Sequence, residues 1–180
     1  LALGRNYRTI ENYPLAVEEF NRANALNPSD PLPDLYISRT YLTVGEYPKA
    51  VQYAEQAVKD DPSDPALYGN LGTMYYRSKQ YQDSILPFRL AIRGGEIETG
   101  EKLTGLPLDY GTVAGYYYMF GLALARVGEC GEAIEISQAL LQGVPDDEIA
   151  VYNAQEMVNI CQQYMEEGTP TPEASDSEQS

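Results

Sequence analysis

Small and aromatic residues recur along this chain at a step of 34 positions. Tyr7, Tyr41 and Tyr75 share one place in the step, and Tyr13, Tyr47 and Tyr81 another. Ala23, Ala57 and Ala91 repeat it, as do Ala16, Ala50 and Ser84, and Gly4, Ser38 and Gly72. Pro28 and Pro62 end successive copies, and a fourth copy resumes after an insertion with Phe120-Gly121, Ala133 and Pro145. A fixed step of this length signals stacked helical repeats. The pattern predicts helices near 1–10, 14–26, 32–44, 48–59, 66–78, 82–93, 112–127, 131–142 and 148–166. The small residues let two helices approach closely where they cross, and the tyrosines fill gaps with the hydroxyl reaching a polar edge. Proline stops the second helix of a copy. Pro28-Ser29-Asp30-Pro31 and Pro62-Ser63-Asp64-Pro65 are turn chemistry, with Ser or Asp available to cap the next helix.

This order of small residue, Gly, two spacers, Tyr, then Ala, aromatic, Ala and Pro resembles the tetratricopeptide repeat, a helix–turn–helix of 34 residues. With positions numbered 1 to 34, the repeats span 1–30 (lacking the first four positions), 31–64, 65–98 (the pattern fading after Arg93) and 114–147. The resemblance implies an all-α, right-handed α–α superhelical solenoid of four units, closed by a capping helix at 148–166. Asp146 and Asp147 stand at the start of that cap, where negative charge suits the helix dipole. Departures from the pattern are Ser38 for Gly, Ser84 for Ala, Ala54 and Ser137 for a bulky residue, and Leu140 for Ala. They bear on local packing rather than on the fold. Residues 167–180, containing GTPTPEASDSEQS, read as a disordered acidic Pro/Ser/Thr tail.

Composition narrows the function. A net charge of −15 argues against nucleic acid and against anionic membrane surfaces. No apolar run approaches the roughly 18 residues of a membrane span, so no direct insertion of this segment is expected. The chain has no histidine, which removes Ser-His-Asp and Cys-His machinery and the commonest metal ligand. The acidic pairs Glu18-Glu19, Asp60-Asp61, Asp146-Asp147 and Glu166-Glu167 fall on expected solvent faces or turns. We therefore expect no catalytic residue, metal or cofactor. The chain lacks an initiator Met and begins inside a helix pattern, which reads as a piece of a longer polypeptide or a processed product.

The insertion at Gly94–Gly111 carries Gly94, Gly95, Gly100 and Gly105, with Ile97 and Leu103 flanking Glu98-Thr99-Gly100-Glu101. It reads either as a short β-hairpin or as an irregular loop that adjusts the angle between repeats three and four.

The resemblance also implies a binding surface. Helix A of each repeat lines the concave groove, mainly through positions 2, 5, 6, 9, 12 and 13. Those positions carry Arg5, Arg8, Tyr36, Arg39, Asn70, Thr73, Tyr76, Arg77, Tyr118, Leu122 and Arg126. Of the 12 Lys and Arg residues, five fall on this one face. Arginine grips carboxylates with a planar fork and stacks on aromatic rings. The expected partner is a protein or peptide, an extended acidic segment or chain terminus; the protein's own acidic tail is one candidate. Chaperone-binding repeats hold a terminal carboxylate with a Lys/Asn pattern. Asn70 alone matches it, since Leu35, Arg39, Gly115 and Met119 depart. The alternative role is structural, with the solenoid ends packing against other copies or an upstream domain.

Cys130 occupies position 17 of repeat four, and Cys161 position 14 of the capping helix. Both then lie at the same end of neighbouring units, where a disulfide could span them. The other reading is two buried thiols in a reduced cell. Together with the tail, a disulfide leans toward an extracytoplasmic setting of a bacterial-type protein, with the cytoplasm as the alternative.

Overall fold

The computed structural model describes residues 1–167. Helices α1 (Ala2–Thr9) and α2 (Tyr13–Leu26) form the first unit, and α3 (Pro31–Thr43) and α4 (Tyr47–Asp60) the second. The third is α5 (Pro65–Arg77) with α6 (Tyr81–Arg93), followed by strands β1 (Gly94–Glu96) and β2 (Lys102–Thr104). The fourth is α7 (Thr112–Arg126) with α8 (Cys130–Gly143), and α9 (Glu148–Glu167) closes the stack. Every predicted helix is present, with ends shifted by at most one residue. The expected tail lies outside the described residues.

Each unit turns the same way for the same reason. Position 15 lies in the left-handed region in all four units: Glu11, Gly45, Lys79 and Gly128 have φ of 60°, 80°, 63° and 84°. The next N–H then reaches back to the carbonyl of position 11. Asn12 donates to Tyr7 at 2.8 Å, and Glu46 to Tyr41, Gln80 to Tyr75 and Glu129 to Leu124 at 2.9 Å each. This closes the C-terminus of helix A and reverses the chain within three residues. Between units, Asp30 and Asp64 accept from the N–H groups of Leu32 and Ala66 at 3.0 and 2.8 Å, capping α3 and α5. Asp147 caps α9 through Ala150 at 3.0 Å.

The two helices of a unit cross at position 8. A Cβ added to Gly4 would stand 2.6 Å from the Phe20 ring, and one on Gly72 would stand 2.7 Å from Phe88. Unit two replaces this Gly–Phe pair by Ser38 and Ala54, both buried, so volume moves from one helix to the other. Unit four keeps Gly121 but has Ser137. The Met157 side chain of α9 fills the space, and the Ser137 hydroxyl donates to the Ala154 carbonyl at 2.8 Å. The sequence departures at these positions are thus matched exchanges that conserve packing. In α9 the equivalent residue is Gln155, exposed to solvent, and among the described residues no following helix crosses it there.

The insertion forms a two-stranded antiparallel hairpin, with Gly95 opposite Leu103. Ile97 and Leu103 are buried in one cluster with Tyr68 and Ala91. The segment then runs back over the stack: the Leu106 N–H donates to the Ala91 carbonyl at 2.7 Å, and the Tyr117 hydroxyl to the Leu106 carbonyl at 3.2 Å. A disulfide joins Cys130 at the start of α8 to Cys161 in α9, with Cα atoms 5.5 Å apart. It pins the closing helix to the fourth unit beside the Tyr164 hydroxyl, which donates to the Arg126 carbonyl at 2.6 Å.

Candidate functional site

Helices α1, α3, α5 and α7 carry the predicted groove residues, and the stack brings them into three clusters. At the first unit, Arg5, Arg8, Thr9 and Tyr36 line a recess of about 310 Å³. The Arg5 guanidinium sits 5.8 Å from the Tyr36 ring centre. Tyr36 is held in turn by stacking on the buried Phe20 at 5.3 Å. The aromatic anchor is therefore fixed by the core, while Arg5 stays exposed.

The second cluster is a bridge. Arg39 Nε donates to Asn70 Oδ1 at 3.0 Å, and Asn70 Nδ2 donates to the Ser38 hydroxyl at 3.0 Å. The Ser38 hydroxyl donates to the Leu35 carbonyl at 2.8 Å. Tyr116 of the fourth unit lies across Gly69 of the third, where any side chain would collide with its ring. Its hydroxyl donates to the Ala66 carbonyl at 3.4 Å and is met by Arg39. Burial pushes the Tyr116 phenol up and the Arg39 charge opposes that rise.

The third cluster surrounds Arg126. Its guanidinium lies 5.0 Å from the Tyr81 ring centre and 5.8 Å from that of Tyr76, and Nη1 donates to the Tyr76 hydroxyl at 3.0 Å. Burial raises the Tyr76 phenol, again opposed by the arginine. Arg77 is exposed, and Tyr118 is partly buried against the core.

Two predicted site residues do not face an open groove. Asn70 is 3% exposed and Leu122 is 4% exposed. Asn70 is enclosed because it ties α5 to α3. Leu122 is enclosed because α7 is covered by its neighbours along nearly its whole length. Thr73 is partly buried, and its hydroxyl is spent on the Gly69 carbonyl at 2.8 Å. Tyr116 and Tyr81 are partners that positions 5 to 13 of helix A do not include. Gly69 signalled Tyr116, because the same position holds Leu1, Leu35 and Tyr118 elsewhere.

The arginines of this face differ from the other arginines in their pairing. Ion pairs join Arg22 to Glu19, Lys49 to Glu46, Arg89 to Glu129 and Glu132, and Arg93 to Glu132 and Glu135. Among the described residues, no carboxylate lies within 4.0 Å of Arg5, Arg8, Arg39, Arg77 or Arg126.

A tetratricopeptide repeat family model matches residues 37–96. No curated protein matches the chain by sequence. Solved structures match in fold across nearly the whole chain. MamA has a TM-score of 0.66 at 20% identity, covering 92% of this chain and 94% of that one. YrrB, described as a TPR protein with an unusual peptide-binding site, has 0.65 at 17%, covering 93% and 86%. Pseudomonas aeruginosa pilF has 0.69 at 16%, covering 94% and 75%. At these identities the likeness concerns fold alone. With four helix–turn–helix units in register, the chain has a tetratricopeptide-repeat fold, and the family model matches its middle third. Solenoids of this class are in general interaction scaffolds for protein or peptide partners.

Proposed function

We propose that this protein holds an extended acidic peptide along the face formed by α1, α3, α5 and α7. The observation that carries this reading is the set of five arginines that, among the described residues, have no carboxylate partner in a chain of net charge −15. In such a chain an arginine meets an acidic side chain at little cost, and Arg22, Arg89 and Arg93 do so. The recess at Arg5, Arg8, Thr9 and Tyr36 supplies the anchor, because two guanidinium groups and a fixed ring converge there. Arg39 and Arg126 are held by Asn70 and by Tyr76, so their charges are positioned before a ligand arrives. The YrrB likeness adds that the same fold serves a peptide-binding site in another protein.

The test is fluorescence anisotropy with a labelled Glu-rich peptide and its Gln-rich counterpart. The reading expects binding of the acidic peptide alone, weakened at least tenfold in Arg5→Glu/Arg77→Glu, a pair of exposed positions outside the bridge. Equal binding of both peptides, or no loss in the double variant, overturns it.

A second reading rests on Leu3. Position 7 is buried in later units as Ile37, Leu71 and Phe120, yet Leu3 is 48% exposed and Ile10 is exposed nearby. That edge would suit self-association, which concentration-dependent light scattering detects; a monomer at all concentrations removes this reading.

A further inference from the structure

The junction of the first two units contains a feature that peptide binding does not use. Asp34 of α3 is 1% exposed, and its carboxyl lies within hydrogen-bond reach of Asp60 at the end of α4. Asn24 of α2 donates to both Asp34 oxygens, at 3.2 and 3.4 Å. Gln56 donates to Asp60 Oδ1 at 2.7 Å. The other oxygen, Asp60 Oδ2, is buried and meets no N–H or O–H donor. Among the described residues no Lys or Arg pairs with either acid. Asn24 faces the pair from α2, and Gln56 and the Tyr53 phenol from α4; the Lys49 ammonium of α4, paired with Glu46, also acts on Tyr53.

Two ionised carboxylates cannot share such a site without strong repulsion, and a buried acceptor without a donor is costly. One proton resolves both problems. A protonated Asp34 can donate its O–H to Asp60 while still accepting from Asn24.

We propose that the Asp34–Asp60 pair is a proton-dependent latch that holds the C-terminal end of α4 against α3 within the second unit, beside the Asn24 contact from α2. With the proton in place, Asn24, Asp34 and Asp60 form one continuous hydrogen-bonded chain across the junction. When the proton leaves, two negative charges face each other between α3 and α4, and the end of α4 loosens from α3.

Burial first, then the Asp60 charge and hydrogen bond, raise the Asp34 carboxyl from 3.8 to about 6, with Asn24 opposing. A carboxyl raised in the folded state stabilises it fully below the unfolded value. That contribution is lost as pH rises through about 6.

The experiment needs no ligand. The Asp34 side-chain carbon is followed by NMR from pH 3 to 8, and the protection of the last hydrogen-bonded amides of α4 is measured at pH 5 and 7.5. The latch expects a midpoint near 6 and protection factors at the end of α4 that fall about tenfold at the higher pH. Asp34→Asn should abolish that fall, because its amide supplies the missing donor permanently. Asp60→Asn serves the same purpose should the first variant not fold. A midpoint near 4, or an unchanged fall in protection in a folded Asn variant, overturns the proposal.

Discussion

Glu11 and Lys79 occupy a backbone conformation that two of the four units reserve for glycine. A left-handed non-glycine residue carries a steric cost of about 1 kcal/mol, partly offset by the flexibility glycine adds to the unfolded chain. Lys79→Gly should therefore raise stability by about 0.5–1 kcal/mol, read from urea unfolding at constant slope. The opposite is expected at Gly72. A methyl group there meets the Phe88 ring at 2.7 Å, and Gly72→Ala should cost about 1–3 kcal/mol through overpacking. These places were legible in the sequence as members of a periodic set. The exchange of Ser38 with Ala54 was not, because its meaning depends on which helices cross. The acid pair left a trace of the same kind. Asp34 stands where other units have Tyr68 and Tyr117, and Asp60 where they have Leu26, Gly94 and Gly143. One polar departure reads as surface variation; two facing each other are an interaction, and only the fold shows that they face.

Three helices, α3, α5 and α9, begin at aspartate caps, and the first helix of every unit ends at a left-handed turn, so these limits follow from local chemistry. This is why the predicted ends agree with the observed ones within one residue. Asp64→Ala should remove the cap on α5 at a cost of about 1 kcal/mol, measured by thermal or denaturant unfolding. The hairpin was one of two readings of the insertion, since Ile97 and Leu103 become inward-facing only once Tyr68 and Ala91 lie beneath them. For α9 the disulfide is the dominant constraint. It closes a segment of 31 residues, and a chain-entropy argument gives about 3–4 kcal/mol for such a loop. Treatment with a reductant should lower stability by about that amount, with α9 amides exchanging first.

Across the whole molecule, the balance of charge sets the expected behaviour. On the proposed reading, the acidic surface repels acidic ligands at long range, while the arginine face attracts them at contact. Raising ionic strength from low to physiological should therefore weaken acidic-peptide binding less than it would for a uniformly basic protein. Titrating the labelled peptide at several salt concentrations measures that slope. The groove itself was only partly legible. The helix faces could be placed by counting, but Tyr116 reaches into it from a residue outside the counted positions, and Leu122 is sealed by neighbouring helices.

Tyr116 has one more consequence. In an ideal repeat array each unit senses only the unit beside it, and melting can spread like falling dominoes from either end. Here a residue of the fourth unit touches the third at Gly69 and Ala66 and meets Arg39 of the second. That contact links the second unit to the fourth across the third, so units two to four should melt together rather than one by one, with the final helix held to them by its sulfur bridge.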